Sequence, residues 1–118
     1  MVRREIFDRY QHGESNIAGT FIIHDNTPIP QGYKRVYTVI SVNSGTRAPT
    51  KIRVGLGFEN RNHFYEEEPA PLVNTYYTTR REYHCKLSRK GVVALHDLQL
   101  ADLVVVNWHG YEIKIEAD

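Results

Sequence analysis

Short stretches of alternating apolar and polar residues recur every ~8–12 residues, with turn-forming clusters between them. That rhythm predicts an all-β sandwich or barrel. "IAGTFII" (17–23) is the first such strand. "HDNTPIPQG" (24–32) follows as a loop, because its prolines cannot sit inside a central ladder. "KRVYTVISVN" (34–43) alternates most cleanly. Val36, Thr38, Ile40 and Val42 share one face by the two-residue period, and Arg35, Tyr37, Val39 and Ser41 share the other. After the turn "SGTRAPT", the strand "KIRVGLGF" (51–58) sets Ile52, Val54 and Leu56 on one side and Gly55 and Gly57 on the other. Two glycines leave that second face open to another backbone or a bulky side chain. "HFYE" (63–66) reads as a short strand running into the loop "EEEPAPL" (66–72). "NTYYT" (74–78), "REYHCKL" (81–87) and "VVALH" (92–96) are further strands, with Tyr83, Cys85 and Leu87 pointing one way.

The last stretch, "DLVVVNWHGYEIKIE" (102–116), reads as a hairpin turning at His109-Gly110. In that register Trp108 pairs with Tyr111, Val106 with Ile113 and Val104 with Ile115, an aromatic and β-branched stripe on one face. The opposite face carries Leu103, Val105 and Asn107 against Glu112, Lys114 and Glu116. Apolar residues on both sides of 103–106 raise the question of what covers the second side. Residues 1–16 are mostly polar, with Ile6, Phe7 and Tyr10 as apolar pegs. They form either an edge strand or an arm that orders against a neighbour.

The expectation is therefore one antiparallel β-sandwich of about eight strands, jelly-roll or immunoglobulin-like, over residues 17–118, with residues 1–16 as arm or edge strand. Its expected core is Val36, Ile40, Val42, Ile52, Val54, Leu56, Tyr83, Cys85, Val104, Val106, Trp108, Tyr111 and Ile113. Its candidate interface is Ile6, Phe7, Tyr10, Tyr37, Val39, Gly55, Gly57, Leu103 and Val105.

Composition narrows the role. A chain of 118 residues is one domain of ordinary size, able to fold without staples. A net charge of +1 provides no global field for nucleic acid, and Arg80-Arg81 and Arg89-Lys90 read as solvated strand ends and a turn. The single Cys85 excludes an internal disulfide and fits a reducing cytosol. The opening "MVRREIFDRYQ" lacks the apolar core of a signal peptide, and no run is long enough to span a membrane as a helix.

Candidate chemistry is sparse. The six histidines, His12, His24, His63, His84, His96 and His109, show no zinc-type spacing, so no metal or other cofactor is expected. Glu66, Glu67 and Glu68 alternate faces in extended chain, which disfavours a calcium site and favours a solvated loop. His84 and Cys85 point to opposite faces and cannot act as a nucleophile and base, and Cys85 reads as a buried, inert thiol. No catalytic residue is assigned and no enzymatic activity is expected. Exposed tyrosines are a separate resource, since Tyr and Trp are enriched at protein interfaces.

The rhythm from Lys34 to Ile113 resembles small β-sandwich structural proteins of tailed-bacteriophage virions. The resemblance rests on a strand like "VYTVISVNSGT" paired with one like "KIRVGLGF", a charged loop, and a last strand leading into "GYE". It is one of pattern and transfers no functional residue. It implies a non-enzymatic virion component, in capsid decoration or in a tail or collar. Such a component would be made in the host cytoplasm and would contact copies of itself and other virion proteins. The polar N-terminal region has no counterpart in that pattern. The alternative is a carbohydrate-binding β-sandwich using Tyr37, Tyr65, Tyr76 or Tyr77, with a glycan as partner. A third reading, a β-barrel enzyme with a histidine-bound metal, is the weakest.

Overall fold

The computed structural model describes residues 4–58, 61–86 and 89–115. Leu87 and Glu116, placed by alternation above, lie outside the described residues. The strands are β1 (Arg4–Glu14), β2 (Gly19–His24), β3 (Tyr33–Ser44), β4 (Lys51–Phe58), β5 (Arg61–Pro69), β6 (Tyr77–Thr78), β7 (Tyr83–Lys86), β8 (Lys90–Leu98) and β9 (Leu103–Lys114). Two antiparallel sheets pack together as a single sandwich. One runs β1-β9-β3 with β6 and β7 both on the far side of β3, and the other runs β2-β8-β4-β5.

The pairings nest. β1 lies beside β9, β2 beside β8, β3 beside β6 and β7, and β4 beside β5. A long hairpin of nested pairs wrapped into two sheets is the jelly roll, with β6 and β7 sharing one strand position. An immunoglobulin domain would instead place its first strand beside its second.

The final hairpin is not formed. β9 runs unbroken through His109 and Gly110, flanked on one side by β1 and on the other by β3. Gly110 is opposite both Phe7 and Tyr37 and does not have a positive φ. Its lack of a side chain serves close approach, because a Cβ there would run into the carbonyl of Val36. Trp108 and Tyr111 are accordingly neighbours along one strand and face opposite sides. Tyr111 and Ile113, expected in the core, lie half-buried on the outer face.

A bulge in β3 between Tyr37 and Val39 overturns the single alternation read through that strand. Before the bulge Arg35 and Tyr37 face inward, and after it Ile40 and Val42 do. Val36 is buried, but on the outer face, between Tyr111 of β9 and His84 of β7. The core proper includes Ile40, Val42, Ile52, Val54, Leu56, Tyr83, Cys85, Val104, Val106 and Trp108, joined by Phe7 and Tyr37. Phe7 meets Tyr37 edge-on at 5.8 Å between ring centroids, so neither is an interface residue.

Of the two expectations for residues 1–16, arm or edge strand, the structure shows an edge strand of the sandwich over Arg4–Glu14. β1 pairs with β9 from Arg4 to Glu14 with no register shift. The first part of the supposed loop, residues 66–69, is also strand, since β5 continues to Pro69. Conversely, only Tyr77 and Thr78 of "NTYYT" pair as a strand. Gly55 and Gly57 do not present an open face. A Cβ on Gly55 would strike the His63 backbone at the β4–β5 bulge, and one on Gly57 would meet Asn62 and His24. The chain itself fills the space those glycines leave.

Candidate functional site

The outer face of the β1-β9-β3 sheet is the first candidate. In β9 the two-residue period sends Val104, Val106 and Trp108 into the core and Leu103, Val105, Asn107 and His109 outward. In β1 the outward residues are Ile6, Asp8, Tyr10, His12 and Glu14, opposite Tyr111, His109, Asn107, Val105 and Leu103 respectively. In β3 they include Val39, Ser41 and Asn43. Ile6 is 80% exposed, Tyr10 67% and Leu103 50%, whereas Val39 and Val105 are half-buried among their neighbours. Polar residues punctuate this surface. Asp8 Oδ1 lies 3.4 Å from His109 Nδ1, and Arg4 lies over the Tyr111 ring.

One end of the sandwich extends the apolar character. Backbone bonds join its loops: Ser15 N–H to the Asp102 carbonyl, Ala101 N–H to the Ser15 carbonyl, Gly45 N–H to the Leu103 carbonyl, and Asn74 N–H to the Ser44 carbonyl. Asp102 anchors the cluster. It accepts from the Gln99 backbone N–H at 2.7 Å, from Thr46 Oγ1 and from Arg47 Nε. The Gln99 bond, outweighing the cost of burial, holds its carboxyl below the usual range. The loops fixed this way carry Ile17, Leu72, Val73 and Leu100, all exposed.

The second candidate is a cleft of about 330 Å³ between β5, β6 and the segment joining them, lined by Glu68, Leu72, Thr75, Tyr76, Tyr77, Arg80 and neighbours. Glu66 braces the structure beside it. Its carboxylate accepts from the Tyr77 hydroxyl at 2.7 Å, the Tyr83 hydroxyl at 2.8 Å and the Arg80 backbone N–H at 2.9 Å. Burial raises this carboxyl, but the Tyr77 hydroxyl and the other donors outweigh it and hold it below the usual range. Glu66 is thus a structural acceptor in a strand, not part of a solvated loop. Tyr76 is half-exposed at the cleft, and Tyr65 stands exposed on β5 with Arg81 over its ring. Tyr37 is buried and takes no part in any surface platform.

Elsewhere the polar interior is bound to itself. Asp25 Oδ2 accepts from Arg35 Nη1, Arg9 Nη2 and the Tyr37 hydroxyl, and Arg35 also donates to the carbonyls of Thr27 and Pro28. This knot ties the 25–32 loop onto the sandwich. The histidines are dispersed: His24 bonds Asn62, His96 bonds Thr20 and His84 bonds Glu82. Among the described residues, no three His, Cys, Asp or Glu side chains gather to hold a metal ion. Cys85 lies 3.4 Å from the Arg35 carbonyl on the face opposite His84, and burial pushes its thiol up to about 12.

Sequence reasoning missed Glu66, Glu68, Leu72, Thr75 and Arg80 as one locality. Glu66 meets its partners across 11 and 17 residues, and no local periodicity encodes such a meeting. Arg35 had a faint signal, because it shares its parity with the inward Tyr37, whereas Asp25, outside any strand, had none. No family model matches the chain, and no curated protein matches it.

Proposed function

We propose that this protein is a non-enzymatic structural component of a bacteriophage virion. It would work through contacts with copies of itself and with other virion proteins, in capsid decoration or in a tail or collar. The observation that carries this reading is Leu103. It is half-exposed on a central strand, beside Val105 and on the same face as Tyr10 and Ile6, while the opposite face of that strand is fully packed. Uncovered apolar area on a rigid sheet is characteristic of a surface that meets protein. The virion assignment itself comes from the sequence resemblance. The jelly roll recurs in viral capsid domains, which is compatible with it, but also in lectins, so the fold alone does not choose.

Sedimentation velocity on the purified chain over roughly 1–100 μM tests the reading. A concentration-dependent oligomer is expected, and Leu103→Glu should weaken it. A strict monomer across that range overturns it. Labelled antibody against the chain should decorate intact particles in electron micrographs.

The cleft favours a second reading, carbohydrate binding. Tyr76 offers an aromatic face there, and Glu68, Arg80 and Thr75 offer polar partners. Titration with oligosaccharides, followed by tyrosine fluorescence, discriminates. Saturable quenching in a monomer, abolished by Tyr76→Ala, would replace the structural reading with this one.

A further inference from the structure

A sandwich of two open sheets has rims, and natural proteins interrupt exposed rims because unpaired backbone groups recruit other chains. Most rims here are interrupted. β2 is six residues long and broken by an irregularity between Gly19 and Phe21. β5 carries a bulge and ends at Pro69. β6 and β7 are two and four residues long. β1 differs: it has 11 residues, no proline and no register shift, and among the described residues only one of its edges is paired, to β9. Its inward side is firmly seated. Phe7 packs in the core, Arg9 binds Asp25, and Gln11 accepts from Trp108 Nε1 and donates to the His24 carbonyl. The strand is therefore anchored on its inner side, with one edge free among the described residues.

We infer that β1 is a self-association edge, pairing antiparallel with β1 of a second copy about a two-fold axis at Tyr10. The inference rests on the self-association reading above. The charge pattern and length of the strand favour a self-complementary register. Antiparallel pairing across a two-fold keeps outward residues opposite outward residues, so the axis must pass a residue paired with its own copy. An axis at Asp8 sets one Asp8 against the other, and an axis at Arg9 sets one Arg9 against the other; like charges directly opposite are destabilising. An axis at Tyr10 avoids both and pairs residues 6–14, whereas one at Phe7 pairs only 4–10. The Tyr10 axis places Asp8 opposite His12 twice, Arg9 opposite Gln11, and Ile6 opposite Glu14, with the two Tyr10 rings side by side. Asp8 already lies near His109, yet its side chain is 71% exposed and has a second oxygen free to turn to a partner. The result is a continuous sheet through both copies, whose outer apolar residues, Ile6, Tyr10, Val105 and Leu103, form one surface.

The test is a charge-swap series measured by sedimentation equilibrium, with hydrogen exchange on the full chain. Asp8→Lys sets Lys opposite His12 and should weaken self-association by about tenfold. Asp8→Lys combined with His12→Glu sets Lys opposite Glu and should return affinity to within about threefold of wild type. Peptides covering β1 should exchange slowly in the assembled protein and faster on dilution. Asp8 and His12 are surface residues, so thermal melts of each variant should match wild type and exclude misfolding. If wild type assembles but Asp8→Lys leaves affinity unchanged, or the double variant is no better than the single one, the β1 pairing is wrong and the structural reading survives. If wild type is monomeric throughout, both fall.

Discussion

Arg35 Nη1 donates to Asp25 Oδ2 at 2.9 Å, and neither side chain reaches solvent. The same oxygen takes bonds from the Tyr37 hydroxyl at 2.7 Å and from Arg9 at 3.0 Å. Tyr37 in turn accepts from the Gly91 backbone N–H. A charge this deep is held only because its partners replace water.

Removing the acid should therefore leave a buried guanidinium with, among the described residues, only Glu112, at 3.4 Å, as an ionic partner. Asp25→Ala is expected to cost about 3–5 kcal/mol in guanidinium unfolding, whereas Asp8→Ala on the surface should stay within about 0.5 kcal/mol. A loss under 1 kcal/mol for Asp25→Ala would mean that the loop is not tied down as described.

Gly110 separates a strand from a turn by experiment. In a two-residue hairpin turn, Gly110→Asn would be well tolerated. In β9 any Cβ at that position meets the Val36 carbonyl, so both Gly110→Ala and Gly110→Asn should cost about 1–3 kcal/mol by overpacking. An asparagine variant melting at the wild-type temperature would restore the hairpin.

Trp108 is buried, packs against Tyr37 and donates from Nε1 to Gln11 Oε1 at 3.0 Å. Trp108→Ala should cost about 3–5 kcal/mol through cavity formation, read from urea melts. Less than 1 kcal/mol would place the core elsewhere.

Glu66 makes stability depend on pH. Its donors lower the folded pKa below the unfolded one, so its contribution is fully present above the ordinary glutamate value of about 4.3 and is lost as pH falls through the folded value. The stability gap between wild type and Glu66→Gln should be about 1–3 kcal/mol at pH 7 and narrow steadily toward pH 3. A gap independent of pH would show that the carboxylate is not the species that binds Tyr77 and Tyr83.

Cys85 should react only through unfolding. Its thiol is buried and pushed up to about 12, so a disulfide reagent at pH 8 should label the native protein slowly and the urea-unfolded protein at once. Rapid native labelling would contradict the packing of β7 on β3.

Much of the molecule was legible from local pattern. Alternation in "KIRVGLGF" and the short apolar run "VVALH", with proline- and glycine-rich breaks between strands, mark β4 and β8 and the all-β class. It also separates Leu103 and Val105 from Val104 and Val106, because neighbours on a strand must face opposite ways. The candidate interface was only partly legible. Ile6, Tyr10 and Leu103 are open, but Phe7 and Tyr37 are core and the two glycines are covered.

What the sequence by itself determined is the extended period of most segments and, where no bulge intervenes, their two faces, since backbone geometry sets these within a few residues. Tertiary structure alone decided which strands are neighbours, and with them the jelly-roll order, the β3 bulge that turns Tyr37 inward, and the passage of β9 straight through His109-Gly110. A glycine reads the same whether a turn needs its freedom or a carbonyl needs its space. Only the Val36 carbonyl, brought alongside from far along the chain, distinguishes the two.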